Sequence, residues 1–147
     1  MEDGYEAVEI GEGFETQGRT ITEADVLNFA GVSGDFNHLH TDAETMADSP
    51  LGGRVAHGTL VLAVTTGLLW QARTAEEREH LVAFYGMDEL RFVKPVFIGD
   101  TVHAETEITE KWETDHPAAS GIVRQQVTTK NQDDETVLSV EFLLLVR

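Results

Sequence analysis

The sequence predicts an α+β fold: one domain over residues 1–147, its antiparallel sheet wrapped around a long central apolar helix. Three observations predict it. The run Thr59 to Trp70, TLVLAVTTGLLW, carries no charge. It is shorter than the roughly 20 apolar residues that span a bilayer, and a helix apolar all round needs a surface on every side. The loop Gly52-Gly53-Arg54-Val55-Ala56-His57-Gly58 leads into it, placing Gly58 in its first turn. From about Leu81 the pattern changes to the two-residue alternation of strands. A meander of three or four antiparallel strands around one helix satisfies this order.

In chain order, Phe14 to Ile21 reads as a first strand. Thr22-Glu23-Ala24-Asp25 reads as a helix start, with Thr22 as N-cap and acids in the first turn. Val26, Leu27, Phe29 and Ala30 give that helix an apolar face, and Gly31 to Gly34 end it. Asp35 to His40 is polar at alternate places and reads as a loop. Thr41-Asp42-Ala43-Glu44 has capping-box spacing and opens a short helix, which Asp48-Ser49-Pro50 stops. The central helix is expected to run to Arg73 or Ala75.

Leu81 to Val96 reads as a strand pair or one long bent strand. In Thr101 to Ile108, Val102, Ala104, Thr106 and Ile108 face one way and His103, Glu105 and Glu107 the other, as in a half-buried strand. Ile122 to Lys130 and Val137 to Val146 are the last strands, joined by the turn Asn131 to Asp134.

The length suffices for one real core. The formal net charge is −17, and the only lysines are Lys94, Lys111 and Lys130. No basic stripe exists to neutralise phosphates, so no nucleic-acid partner is expected. Acidic excess can mean disorder, but 41% hydrophobic residues in patterned segments favours a folded chain. An acid-rich, lysine-poor surface matches proteins of salt-accumulating cells, where a screening length of about 3 Å at about 1 M salt makes self-repulsion tolerable. There is no cysteine, so disulfides and thiolate chemistry are excluded. The stretch MEDGYEAVEI lacks a basic-then-apolar leader pattern, so the expected location is cytoplasmic, with no membrane partner.

Asp35, His40 and Gly58 are the candidates for chemistry, although an acid and an imidazole five apart in one loop are, on spacing alone, more often turn and surface residues. A carboxylate and an imidazole brought together can hold a water, one taking its proton while the other donates one elsewhere. Gly58, at a helix N-terminus, offers free N–H groups and a favourable dipole to an oxyanion. The motifs Asp35-Phe36-Asn37-His38-Leu39-His40 and Val55-Ala56-His57-Gly58, with Leu90 to Asp100 further along, resemble the MaoC-like (R)-specific enoyl-CoA hydratase/dehydratase family. The similarity runs from about Ile21 to the end.

The resemblance implies a hotdog fold and a homodimer with acyl-CoA entering between subunits. It implies a hydro-lyase that adds water to trans-2-enoyl-CoA and can feed polyhydroxyalkanoate synthesis. It assigns Asp35 and His40 as the catalytic pair, and the Gly58 amide as the group that binds the thioester oxygen. Thr66 falls where some members carry a helix serine. Where the family usually has proline, this chain has His38.

The remaining residues have plainer readings. Asn37 is expected to fix the loop by bonding backbone, with substrate binding, as for Gly58 and Thr66, its other reading, and His57 to be a packed or capping residue. His38-Leu39-His40 shows no third ligand, against four in structural zinc sites, so no metal is expected, nor any cofactor. His80, His103 and His116 read as surface. Phe36, Leu60, Leu62, Leu68, Leu69 and Trp70 read as core first and acyl-pocket lining second. Arg54, Arg91 and Lys94 read as solvated cations first, with contact of one of them to CoA phosphates the second reading. The competing functions are a hotdog thioesterase and a non-catalytic acyl-CoA-binding protein. Common thioesterases place a carboxylate on the central helix, and Thr59 to Trp70 contains none.

Overall fold

The computed structural model describes residues 4–147; the first three residues of the acidic N-terminal stretch lie outside the described residues. A short 3-10 turn, Gly4–Ala7, precedes strand β1 (Arg19–Thr20). Helices α1 (Glu23–Ser33), α2 (His38–Thr41), α3 (Ala43–Ala47), α4 (Gly58–Ala72) and α5 (Ala75–His80) follow. Strands β2 (Leu81–Phe92), β3 (Thr101–Glu113), β4 (Gly121–Lys130) and β5 (Thr136–Val146) complete the chain.

The five strands form one antiparallel sheet in the order β1-β3-β4-β5-β2. It curls around α4 in the expected hotdog arrangement. The buried residues of α4, Leu60, Val61, Val64, Thr65, Leu68 and Leu69, share one core with Val102 and Ala104 of β3, Val123 and Val127 of β4, and Leu138, Val140 and Phe142 of β5. The alternation is clearest in β4, where Ile122 and Val123, then Gln125, Val127 and Thr129, are buried. Thr65 and Thr129, both fully buried, satisfy each other through a 2.8 Å hydroxyl–hydroxyl hydrogen bond.

Several expectations need correction. Phe14 to Ile21 is not one strand. Thr16 N–H bonds Ala104 C=O and Thr106 N–H bonds Phe14 C=O, so the segment follows β3, but only Arg19–Thr20 continues as a strand. Thr41 does not cap α3. It ends α2, its hydroxyl donating back to the Phe36 and Asn37 carbonyls, and Asp42 caps α3 by accepting from Thr45 N–H. Asp35 to His40 is not all loop, because the Asn37 side chain caps the one-turn α2. Helix α5, capped by a Thr74–Glu77 box, was not expected.

Helix α4 is not enclosed on every side. Thr59, Ala63 and Trp70 lie on an exposed flank, with Thr66 and Gly67 half-buried between them. Trp70 is 48% and Phe36 60% exposed, so neither is core.

Leu81 to Val96 resolves into one strand, β2, and a following loop. β2 pairs only with β5 among the described residues, with register shifts that include one between Asp88 and Arg91. Glu89 sits there at φ 53°, in the left-handed region. Such bulges bend a strand and re-aim its side chains. Just beyond this one, Phe92 meets the first turn of α4, where its ring would lie 2.8 Å from a Cβ on Gly58.

Candidate active site

The site is built where α1 ends. Gly34 closes that helix at φ 77°, a left-handed cap that suits glycine. Two side-chain turns follow: Asp35 Oδ1 accepts from Asn37 N–H at 3.2 Å, and Asn37 Oδ1 accepts from Leu39 N–H at 2.9 Å. Each is the local bond that Asp and Asn offer to backbone two residues on. Together they start α2 and turn His40 inward, where it is 7% exposed.

The His40 ring is held by the strand-like residue before the glycine helix. Its Nδ1 lies 2.7 Å from the Val55 carbonyl, and Val55 N–H bonds Leu39 C=O at 3.0 Å. A carbonyl oxygen only accepts, so Nδ1 carries the hydrogen. The neutral ring therefore has a bare Nε2, which lies 3.9 Å from Asp35 Oδ2. The Asp35 side chain is 52% exposed, so one member of the pair is buried and the other meets solvent.

His57, the N-cap residue of α4, makes no capping bond; it is packed, as one of its two expected readings has it. Its ring stacks on His40 with centroids 3.7 Å apart, and Phe29 meets it edge-on at 5.0 Å. Its Nε2 lies 2.9 Å from the Asp35 carbonyl oxygen. Gly58 follows as the first residue of α4, among the N–H groups that have no partner within the helix.

Asp35, Asn37 and His40 are thus brought together, with Gly58 one peptide from the ring that touches both members of the pair. Thr66 is not brought to them. It lies eight residues beyond Gly58, about 12 Å along the helix axis, and its hydroxyl donates to the Ala63 carbonyl at 2.7 Å. His38 opens α2 at the exposed surface. Phe92, resting on Gly58, is a site neighbour that sequence reasoning missed, because only the sheet register brings it there.

A third possible ligand does lie beside the pair: donor atoms of Asp35, His40 and His57 fall within 4.8 Å of one another. It escaped notice because His57 comes from a separate element. Each ring bonds a carbonyl with one nitrogen, which leaves His40 Nε2 and His57 Nδ1 outside those bonds, and the two rings lie stacked at 25°.

The scarce cations nearby are engaged. Arg54 forms a two-pronged ion pair with Glu23, whose carboxyl is held below its usual range by that hydrogen bonding. Lys94 bonds Glu135, and Arg91 lies 3.7 Å from Glu89. A cavity of about 620 Å³ lies at the other end of α4, under Phe14, Arg73 and Leu81, away from the pair.

The sequence was compared with known proteins. Residues 6–131 match the model of the MaoC like domain. Protein MaoC of Klebsiella aerogenes is 37% identical over 107 residues, 73% of this chain but 31% of that protein. The 3-hydroxyacyl-thioester dehydratase Z of Mycobacterium tuberculosis is 36% identical over 60% of this chain and 58% of its own length. The chain therefore spans about a third and a little over half of these two relatives. The (R)-specific enoyl-CoA hydratase of Aeromonas caviae is 37% identical over 66% of this chain and 68% of its own.

Among solved structures, a monoamine oxidase regulatory protein from Archaeoglobus is 38% identical with a TM-score of 0.90, covering 97% of this chain and 93% of its own. The Aeromonas (R)-hydratase superposes with a TM-score of 0.78 at 28% identity, over 96% of this chain and 98% of its own. With a family model spanning most of its length and a glycine helix wrapped by the sheet those relatives share, the chain belongs to the MaoC-like domain family.

Proposed function

We propose that this chain, taken as one domain over residues 1–147, is a hydro-lyase that adds water to trans-2-enoyl-CoA to give (R)-3-hydroxyacyl-CoA, and runs the reverse dehydration. The carrying observation is the 3.9 Å gap between Asp35 Oδ2 and His40 Nε2. It is too long for a direct hydrogen bond, and short enough for one water oxygen to reach both. The carboxylate and the bare Nε2 then accept the water's two hydrogens. As the water oxygen bonds to C3, one proton passes into the pair, and C2 receives a proton on the same face. The pair ends as it began.

Charge pushed onto the thioester oxygen is met by the Gly58 N–H, with the dipole of α4 behind it. Asn37 acts through the loop, by starting the turn that carries His40. Thr66, on the open flank of α4, lines the path of the acyl chain. The name of the Aeromonas relative supports the (R) stereochemistry.

The functional unit in this reading is a homodimer. β2 has an unpaired edge among the described residues, and Phe84, Tyr85, Met87 and Phe92 on it are all exposed. An unpaired apolar edge invites a second copy, and that copy would also cover the flank of α4.

The test is hydration of crotonyl-CoA, followed by loss of the conjugated thioester absorbance, with thiol release measured in parallel and the product resolved on a chiral phase. Absorbance loss without thiol release, giving the (R) product, is expected. Thiol release at the same rate would replace this reading with a thioesterase. The absence of any carboxylate from α4 favours hydration.

A further inference from the structure

We infer that His57 is the positioning residue of the Asp35–His40 pair, tying both reacting groups to the helix whose first amide is the oxyanion donor. The kinetic part of this inference rests on the hydratase reading; the geometric part does not.

His57 touches both partners by different means. The Asp35 carbonyl can only accept, so His57 Nε2 carries the hydrogen and donates it at 2.9 Å. That bond anchors the backbone of an exposed loop residue to the start of α4. The face of the same ring lies on the His40 ring at 3.7 Å and 25°, and Phe29 backs it from the edge. The two imidazoles thereby take opposite tautomers, His40 with hydrogen on Nδ1 and His57 with hydrogen on Nε2. His40 presents its bare Nε2 to Asp35 at 3.9 Å.

The other nitrogen of His57 shows what this arrangement costs. Nδ1 is buried and has no hydrogen-bond partner, in a residue only 2% exposed. Buried polar atoms are nearly always bonded, and one left unpaired destabilises the fold. Packing alone would favour an apolar side chain here. An imidazole is useful because it joins a flat face for His40 to an N–H for Asp35. Since Gly58 is the next residue, pair and amide share one rigid reference. Small misplacements of reacting groups lower rates far more than they lower binding.

The test uses the intact chain and two variants. His57→Phe keeps a ring for the stack but loses the donor, and His57→Gln keeps an N–H at the same reach but loses the ring. With crotonyl-CoA, His57→Phe is expected to lose about 100-fold in kcat with KM and Tm near wild type. His57→Gln is expected to recover part of the lost kcat. Wild-type kcat in His57→Phe, or a loss that follows Tm in both variants, overturns the inference.

A readout free of turnover is the ring-nitrogen NMR of the wild-type chain: hydrogen on Nε2 of His57 and on Nδ1 of His40 is expected. Hydrogen on Nδ1 of His57 overturns the clamp, and this measurement decides even where neither variant folds. A wild-type chain that hydrates no enoyl-CoA defeats the functional reading while leaving the tautomer result standing.

Discussion

The Phe92 ring lies so close to Gly58 that a Cβ placed there would approach it to 2.8 Å. Gly58 has an ordinary helical backbone, so conformational freedom is not what requires glycine at this position. Close approach of the ring is. Gly58→Ala should therefore destabilise, but by less than the roughly 1–3 kcal/mol of overpacking in a closed core, because the Phe92 ring is 53% exposed and can swing toward solvent. In a Phe92→Ala background the same change should become neutral or stabilising by up to about 1 kcal/mol, as glycine-to-alanine changes are at compatible positions. Urea midpoints of the four proteins in this cycle measure the coupling, and equal effects in both backgrounds would remove Phe92 from the site.

Asp35→Asn should abolish most turnover and leave the fold intact. Asn retains an oxygen to accept the Asn37 N–H, so the turn survives, but the charge proposed to receive the water's hydrogen is gone. The loss expected is about 100- to 10,000-fold in kcat, the range for removal of an acid–base group. His40→Ala should lose as much turnover and also stability, because His40 is buried and holds the Val55 carbonyl. Kinetics beside thermal melts separate the two cases; near wild-type turnover in either variant would refute the assignment.

Much of this was legible in the sequence, and the gaps have physical causes. The uncharged run, the alternation after Leu81 and the cap at Thr22 express local rules, and they placed α4, β4, β5 and α1 within a few residues, while β3, expected to end at Ile108, runs on to Glu113. Asp35, His40 and Gly58 stood out through the family resemblance of the motifs around them; as a lone acid and imidazole in one loop, Asp35 and His40 read more readily as turn and surface residues. What could not be read was set by tertiary pairing. Phe92 reaches Gly58 only because β2 adds to β5 with a bulge at Glu89. His57 faces His40 only because Val55 pairs with the α2 turn. The exposed flank of α4 defeated the expectation of full burial because charge-free sequence cannot tell a sheet-covered face from an open one.

The Thr65–Thr129 pair gives a prediction about the core under α4. Thr65 also donates to the Val61 carbonyl, and both hydroxyls are wholly buried. Thr65→Val should cost about 1–3 kcal/mol, since it leaves the Thr129 hydroxyl unpaired in the interior. Replacing both residues with valine should cost much less than the two single changes summed. Denaturant unfolding of the set tests this; strict additivity would show that the hydroxyls do not depend on each other.

Asp25 should give the fold an acid-sensitive limb. Burial pushes its carboxyl up, but hydrogen bonds from Thr22 and the Arg19 guanidinium together outweigh that and hold it below its usual range. The folded value is thus lower than the unfolded one, near 3.9. The sign follows: the contribution is fully present above the unfolded value and is lost as pH falls through the folded one. Asp25→Asn should flatten the pH dependence of the urea midpoint below about pH 4 while leaving its slope near neutrality unchanged. Identical acid limbs in the two proteins would show that the capping box does not set this sensitivity.

The last prediction follows from charge. With a net charge of −17, the chain repels itself and a polyanionic CoA alike. The cations nearest the site, Arg54 and Lys94, are already paired with carboxylates. At about 0.1 M salt the screening length is about 10 Å, and at about 1 M it is about 3 Å. Raising potassium chloride across that range should therefore raise Tm and lower KM for an enoyl-CoA, with kcat changing less, because screening acts on the approach of two charged bodies more than on contacts of a few ångström within the pair. Steered association of opposite charges weakens with salt, so a KM that rises with salt would mean that a basic surface meets the CoA phosphates and that the acidic excess lies elsewhere.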